Sequence, residues 1–314
     1  MKTKVLYLAI LLVTVFSLNV CSPSISEDVS QLSSIDTTQI TKGENKSTAG
    51  QSGLILLLGA FGQEIDGLRR QLDVEEVIAG QDYELYRGKY ENRDILLVRT
   101  GMGKERAESA TKSVLEHYPV TAIVSLGFAG GLNPELEIGD VVLCSTLYCA
   151  NGSGQKDPKA EPYASDANLI SLASEGLEDI EANYRIGSSV TVLQLECNPQ
   201  KQQELAETFN ADIVEMESYW IARIALDRGI PFIAIRSISD RGNDLQPFDQ
   251  ILSPDGKLLW KEAVVLFTIR PHYLLKVFTL YMHVRVAHEN LTACVLHLLT
   301  KMCSSPTMTK GPLK

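Results

Sequence analysis

The chain predicts an α/β domain of three layers, α/β/α, around a mixed, largely parallel central sheet. Three observations carry that expectation. Short apolar runs such as Leu54–Leu58, Thr121–Leu126 and Pro231–Ile235 recur, as strands covered on both faces require. Between them lie segments of helical length whose apolar residues return every three or four positions. Strand-like and helix-like segments alternate along the chain, the pattern of layered α/β architecture.

In order, Leu54–Leu58 is the first strand, and Gly59-Ala60-Phe61-Gly62 turns it into a helix with Ile65, Leu68 and Leu72 on one face and Glu64 in its first turn. Tyr83–Arg87 and Ile95–Arg99 read as a hairpin joined through Gly88 and Asn92. Thr100-Gly101-Met102-Gly103 opens a helix from Lys104 to His117, and the strand Thr121–Leu126 runs into Gly127-Phe128-Ala129-Gly130-Gly131. Further strands are expected at Asp140–Ser145, Ser188–Leu195 and Asp212–Glu215, with helices at Leu169–Leu177, Pro199–Phe209 and Ser218–Asp227. Asn151–Tyr163 and Arg241–Asp255 read as loops, and Leu258–Phe267 as a closing helix.

Composition bounds the function. The 314 residues are 45% hydrophobic and 22% charged, enough apolar material for one large domain. A net charge of -10 without any Lys/Arg run excludes a broad nucleic-acid-binding surface. Cys21, Cys144, Cys149, Cys197, Cys294 and Cys303 form no CxxC pair, and His272, His283, His288 and His297 lack the spacing that puts two imidazoles on one helical face, so no metal is expected. Cys144 and Cys149 read as reduced thiols, with a bridge between them the alternative.

Lys2 and Lys4 precede an uncharged run, Val5–Val20. Residues 1–21 therefore read as an export signal or membrane anchor, with Cys21 at the position a lipid would modify. The alternative is a misassigned start site before a cytoplasmic protein. Residues 22–53 have the composition of a disordered linker. The main domain is expected over 54–269, followed by a C-terminal extension, 270–314, with no assigned role.

Chemistry concentrates where Gly-rich turns are expected to follow strands, at Gly59, Gly101–Gly103 and Gly127–Gly131, and where Glu64, Glu217, Arg236 and Asp240 join them. No GxGxxG and no GxxxxGK[ST] is present, so nothing supports a dinucleotide or ATP, and no cofactor is expected. Each charged residue also has a structural reading. Glu64 sits where a carboxylate favours a helix N-terminus, Asp240 can begin a turn, and Glu215 or Glu217 can be solvated.

Six motifs in order resemble the nucleoside phosphorylase and nucleosidase superfamily over Leu54–Phe267. They are Gly59-Ala60 with Glu64; Thr100-Gly101-Met102-Gly103-Lys104; Gly127 with Ala129-Gly130-Gly131-Leu132; Ile138-Gly139-Asp140-Val141-Val142; Val214-Glu215-Met216-Glu217-Ser218; and Arg236-Ser237-Ile238-Ser239-Asp240. The resemblance is nearest to the bacterial methylthioadenosine/S-adenosylhomocysteine nucleosidases. It implies that Asp240 donates a proton towards N7 of a purine, that Glu64 acts on the attacking water with Arg236 beside it, and that Met216 and Glu217 hold the ribose. Gly127, Phe128, Ala129 and Ser239 would line the same pocket. Phe128 departs from the pattern, standing where these nucleosidases carry Ser, and the segment from Gln194 to Pro199 offers no aromatic ring to stack a base.

Breaking an N-glycosidic bond builds positive charge on the sugar and negative charge on the base, so carboxylates beside the first and an acid beside the second suit that chemistry. The reading is a nucleosidase acting on a small purine nucleoside. A phosphorylase, with phosphate held by Arg99, Thr100, Arg69 or Arg70, and an exported nucleoside-binding protein without turnover are the alternatives. Likeness to the family also implies a homo-oligomer.

Overall fold

The structure, a computed structural model, describes residues 53–304 apart from 81–82, 157–159, 178–182, 243, 246–250 and 252–258. Residues 1–21, read above as a signal or anchor, with Cys21, and all of 22–53 but Gly53 lie outside the described residues.

A single 10-stranded mixed sheet organises the fold. Its strands are β1 (Leu54–Gly59), β2 (Asp73–Ala79), β3 (Glu84–Tyr90), β4 (Arg93–Arg99), β5 (Val120–Gly131), β6 (Val141–Cys149), β7 (Tyr163–Ala164), β8 (Tyr184–Thr191), β9 (Ile213–Glu215) and β10 (Phe232–Arg241). The helices are α1 (Gly62–Arg69), α2 (Lys104–His117), α3 (Ala167–Leu177), α4 (Pro199–Phe209), α5 (Ser218–Asp227), α6 (Trp260–Ile269) and α7 (Tyr273–Ser304). At the centre, β4, β1, β5 and β10 run parallel in that order. The far side of β5 curls round: β10 pairs with β6, β6 with β8, β8 with β9, and β9 returns to β5. That ring brings the ends of β5, β9 and β10 together.

Because successive side chains of a strand point to opposite faces, each central strand feeds two cores. Ile55, Leu57, Ile95, Leu97 and Val124 face one side and pack with Ile65 and Leu68 of α1, Leu169 and Ala173 of α3, and Leu291, Val295 and Leu298 of α7. Leu56, Leu58, Leu96, Val98 and Ile123 face the other and pack with Ala107, Ala110 and Val114 of α2 and with Tyr219, Ile221 and Ala222 of α5. The three-layer expectation is met.

Several elements differ from the sequence reading. β2 was not expected, because it is an edge strand whose Asp73-Val-Glu-Glu-Val-Ile-Ala79 pattern is largely exposed and charged. Gly88 lies inside β3; the β3–β4 hairpin turns at Glu91 and Asn92, both at positive φ (44° and 66°), the backbone of a two-residue type I′ turn. Gly127–Gly131 is not a turn but the end of β5, held in extended form by β10 along one edge and β9 along the other. β10 likewise continues through Arg236–Asp240, with a bulge between Ile238 and Asp240. β8 begins at Tyr184 and ends at Thr191, earlier than expected. Residues Tyr273–Ser304 of the region after Arg270 form the 32-residue helix α7, whose second half is part of the main core. Cys144 and Cys149 each lie against a main-chain carbonyl, of Val142 and Ala150 respectively.

Candidate active site

Two carboxylates lie along the end of β5. Glu64, in the first turn of α1 and only 4% exposed, receives the main-chain N–H groups of Ala60 and Phe61 on Oε2, at 2.6 and 2.9 Å, and that of Phe128 on Oε1 at 2.9 Å. The turn after β1 and the end of β5 thus converge on one side chain. A methyl group on Gly127 would stand 2.7 Å from Glu64 Oε1, so the absence of a side chain there is what lets the carboxylate lie against the strand. Three residues on, a methyl group on Gly130 would stand 3.1 Å from Asp240 Oδ2. Glu64 and Asp240 therefore both lie against the end of β5, beside residues three apart on that strand.

Burial sets the protonation of each. It raises the Glu64 pKa, opposed by the amide groups of Phe128 and Phe61 and by the Arg236 charge. Asp240, 7% exposed, accepts from the Ser239 hydroxyl at 2.8 Å, and burial lifts its pKa to about 6. A carboxyl of that kind holds a proton that it can give away near neutral pH.

Arg236 is the buried cation of the site, 1% exposed. Its Nη1 donates to Ile235 O, and its Nη2 donates to Ser125 Oγ and to Glu215 Oε2, each at 3.0 Å. Burial opposes its charge, but Glu215, with Glu217 and Glu64 behind it, outweighs burial and raises its pKa. Its Nε has no hydrogen-bond partner among the described residues. Leaving such a group unpaired costs stability.

Glu217 sits at the N-terminus of α5 and accepts from the Gly103 N–H at 2.8 Å, joining the turn before α2 to the site. Gly103 itself adopts φ +92°, a conformation open to glycine. Burial and the neighbouring Glu215 charge raise the Glu217 pKa, against the pull of Arg236. Met216, Ala129 and Ser239 are buried at the same strand ends, and Phe128 is half-buried and packed against the core cluster on the α1 side of the sheet.

The sequence reading missed Glu215, Thr191 and Ser125. Glu215 is not a solvated charge. Its carboxylate accepts from the Thr191 hydroxyl, from the N–H groups of Glu217 at 2.9 Å and Ser218 at 2.7 Å, and from Arg236. It therefore ties β8, the α5 N-terminus and Arg236 into one unit. The signal available was its place two residues before Glu217 on a buried strand, where an unpaired charge would not survive. The cations and the hydroxyl weighed for phosphate are engaged elsewhere. Arg99 pairs with Glu84 at 3.1 Å, Arg69 with Asp66 at 3.3 Å, Arg70 lies 3.4 Å from His288, and the Thr100 hydroxyl donates to Gly101 O and Gly59 O.

Glu64, Glu217 and Arg236 lie within electrostatic reach of one another at the ends of β5 and β10, with Asp240 further along the same paired strands of a three-layer α/β domain. Residues 54–253 match the phosphorylase superfamily, and the chain belongs to that family. Among its relatives, a 5'-methylthioadenosine/S-adenosylhomocysteine nucleosidase of Tolumonas auensis is 32% identical over 213 residues, 64% of this chain and 93% of that one. An aminodeoxyfutalosine nucleosidase of Campylobacter jejuni is 29% identical over 203 residues, 62% of this chain and 89% of the other. In three dimensions, the methylthioadenosine/S-adenosylhomocysteine nucleosidase of Colwellia psychrerythraea, solved with adenine, superposes with a TM-score of 0.65 at 22% identity, covering 80% of this chain and 96% of that chain.

Proposed function

We propose that this protein is a purine nucleosidase that hydrolyses the N-glycosidic bond of a methylthioadenosine- or S-adenosylhomocysteine-like nucleoside. The observation that carries the proposal is the pairing along β5 of Glu64, held as an acceptor by three main-chain N–H groups, with Asp240, whose buried carboxyl keeps a proton to about pH 6. Relatives 32% and 29% identical are nucleosidases.

In this reading the purine lies by Asp240 and the ribose by Glu217 and Met216. Asp240 gives its proton to N7 as the bond from the base to C1′ breaks, so the base departs neutral. Glu217 accepts from the sugar hydroxyls and, with Glu64, steadies the positive charge that grows on the ribose. Water adds to C1′ and loses its proton to Glu64, while the Arg236 Nε points a donor at that water. Each positioned acid or base contributes about 10²–10⁴-fold.

Phosphate as nucleophile fits less well. Arg236 is already committed to Glu215, and an anion beside Glu64 would be repelled. A binding protein without turnover has no use for a protonated Asp240. We further read residues 1–21 as an export signal or lipid anchor, and the protein as a homo-oligomer; mass spectrometry of the mature N-terminus and light scattering test these two.

Incubation with methylthioadenosine, S-adenosylhomocysteine, adenosine and inosine, with and without phosphate, tests the main reading. Free base formed at the same rate without phosphate is expected. A phosphate requirement with ribose 1-phosphate as product, or binding with no product, would overturn it.

A further inference from the structure

α6 and the first half of α7 cover each other with one face and leave the other apolar and uncovered among the described residues. Ala263, Leu266 and Phe267 of α6 close on Leu274 and Val277 of α7, with Cys197, Leu245 and Ile251 beneath. On the outside, Val264, Val265 and Ile269 of α6 are exposed, Ile269 by 70%. On α7, Leu275 (71%), Phe278 (53%), Met282 and Val286 are exposed too, at spacings of three and four that set them in one stripe. An apolar stripe of that length is far more than scattered surface residues.

The charge around it is opposite in sign to the rest of the molecule. Between Trp260 and Leu280 stand Lys261, Arg270 and Lys276, all exposed, against the single acid Glu262, in a chain of net charge -10. On α6 an open groove of about 430 Å³ has Val265, Leu266 and Ile269 as walls, with Lys261, Glu262 and Arg270 also lining it. Apolar walls edged by cations match the acyl and phosphate parts of an anionic lipid.

The geometry also sets how such a surface would be met. Among the described residues no single helix is long and apolar enough to cross a membrane; α6 and α7 reach that composition only as a pair bent by 117°. The C-terminal half of α7 is locked in the main core through Leu291, Val295, Leu298 and Leu299, so the pair stays on the domain. Helices so placed lie on a bilayer rather than through it.

We propose that the outer face of α6 and the start of α7 is a seat for an anionic phospholipid surface, separate from whatever residues 1–21 do. This rests on the exposed face and its charge and is independent of the nucleosidase reading. The test uses the full chain with Phe278→Trp, mixed with vesicles of brominated phosphatidylcholine, alone or with one quarter phosphatidylglycerol. Expected is quenching of the new tryptophan, above that of the parent chain, with the anionic vesicles. Each cation near such a surface adds roughly fivefold to affinity, so Lys261→Glu with Arg270→Glu should weaken binding at least about 25-fold. Leu275→Glu in the Phe278→Trp chain should abolish the quenching while nucleoside turnover and Tm stay unchanged.

Because the readout is local to α7, binding through the N-terminal apolar run does not mimic it. No added quenching, equal quenching by neutral vesicles, or a lipid-free dimer that Leu275→Glu dissociates would each overturn the proposal, the last by assigning the face to a second copy.

Discussion

Gly127→Ala isolates how closely Glu64 must be held. The glycine is in extended backbone that alanine adopts readily, so the change acts only through the added methyl group. That methyl would lie 2.7 Å from Glu64 Oε1 and 3.1 Å from its carboxyl carbon, where ordinary contact begins near 3.4 Å. The carboxylate has to retreat by roughly 0.7 Å, a distance that forfeits good contact on a steep repulsive wall. Retreat stretches the 2.9 Å bond from the Phe128 N–H and disturbs the two from Ala60 and Phe61. Hydrogen bonds to a charged group contribute about 1.5–3 kcal/mol each, and misplacing a reacting group by about 1 Å can cost on the order of 10²-fold in rate. Gly127→Ala should therefore lower kcat about 10²-fold and stability by about 1–3 kcal/mol. Gly152→Ala is the control, since a methyl there meets nothing nearer than Leu193 Cδ1 at 4.0 Å. Steady-state release of free base from methylthioadenosine, with urea unfolding alongside, measures both. A Gly127→Ala enzyme as fast as the Gly152→Ala control would refute the claim that this carboxylate does its work from a fixed position.

Further outcomes are expected. Glu64→Gln should reduce kcat by about 10²–10⁴-fold with the fold retained, measured by turnover and circular dichroism; near-normal turnover would remove Glu64 from the reaction. Asp240 gives a pH signature: its folded pKa, raised first by burial, is about 6 against 3.8, so its stabilising contribution is whole below 3.8 and lost as pH rises through about 6. Asp240→Asn cannot ionise and should gain on the parent by about 3 kcal/mol between those pH values, read as a Tm difference that widens; a constant difference contradicts the shift. Glu215→Gln leaves the Arg236 guanidinium buried without its counter-charge and should cost about 3–5 kcal/mol, whereas Glu215→Leu with Arg236→Met should cost less than the two single changes together. Leu298→Ala in α7 should cost about 2–5 kcal/mol in urea unfolding, as a core position does, and a smaller loss would return α7 to the periphery.

Much of the fold could be read directly because local signals and tertiary context agreed. α2 begins after Gly103 and ends at His117 as its glycine and its apolar spacing require, and α4 follows an Asn198 whose side chain accepts from Gln200 and Lys201. Where they disagreed, long-range pairing won. Glycines that look like a turn at 127–131 are drawn out as strand because β9 and β10 flank them. β2 carries so little apolar sequence that only its partner β3 reveals it. At the site, Glu64, Glu217, Arg236 and Asp240 were visible as unlike charges at strand and helix ends. Glu215 was not, because its importance lies in what it holds: the Thr191 hydroxyl, two amides of α5 and Arg236 reach it from three places in the sequence. The same is true of α7, whose apolar inner and outer faces look alike in sequence and differ only in which one the core covers.

The central claim is that one nucleoside spans β5 with its base at Asp240 and its sugar at Glu217 and Glu64. A crystal structure of the protein with a non-hydrolysable methylthioadenosine analogue measures this directly. The account predicts N7 within hydrogen-bonding distance of the Asp240 carboxyl, the ribose hydroxyls on Glu217, and a water between Glu64 and the Arg236 Nε, facing C1′. A ligand bound away from these carboxylates, or reversed with its sugar at Asp240, would contradict it.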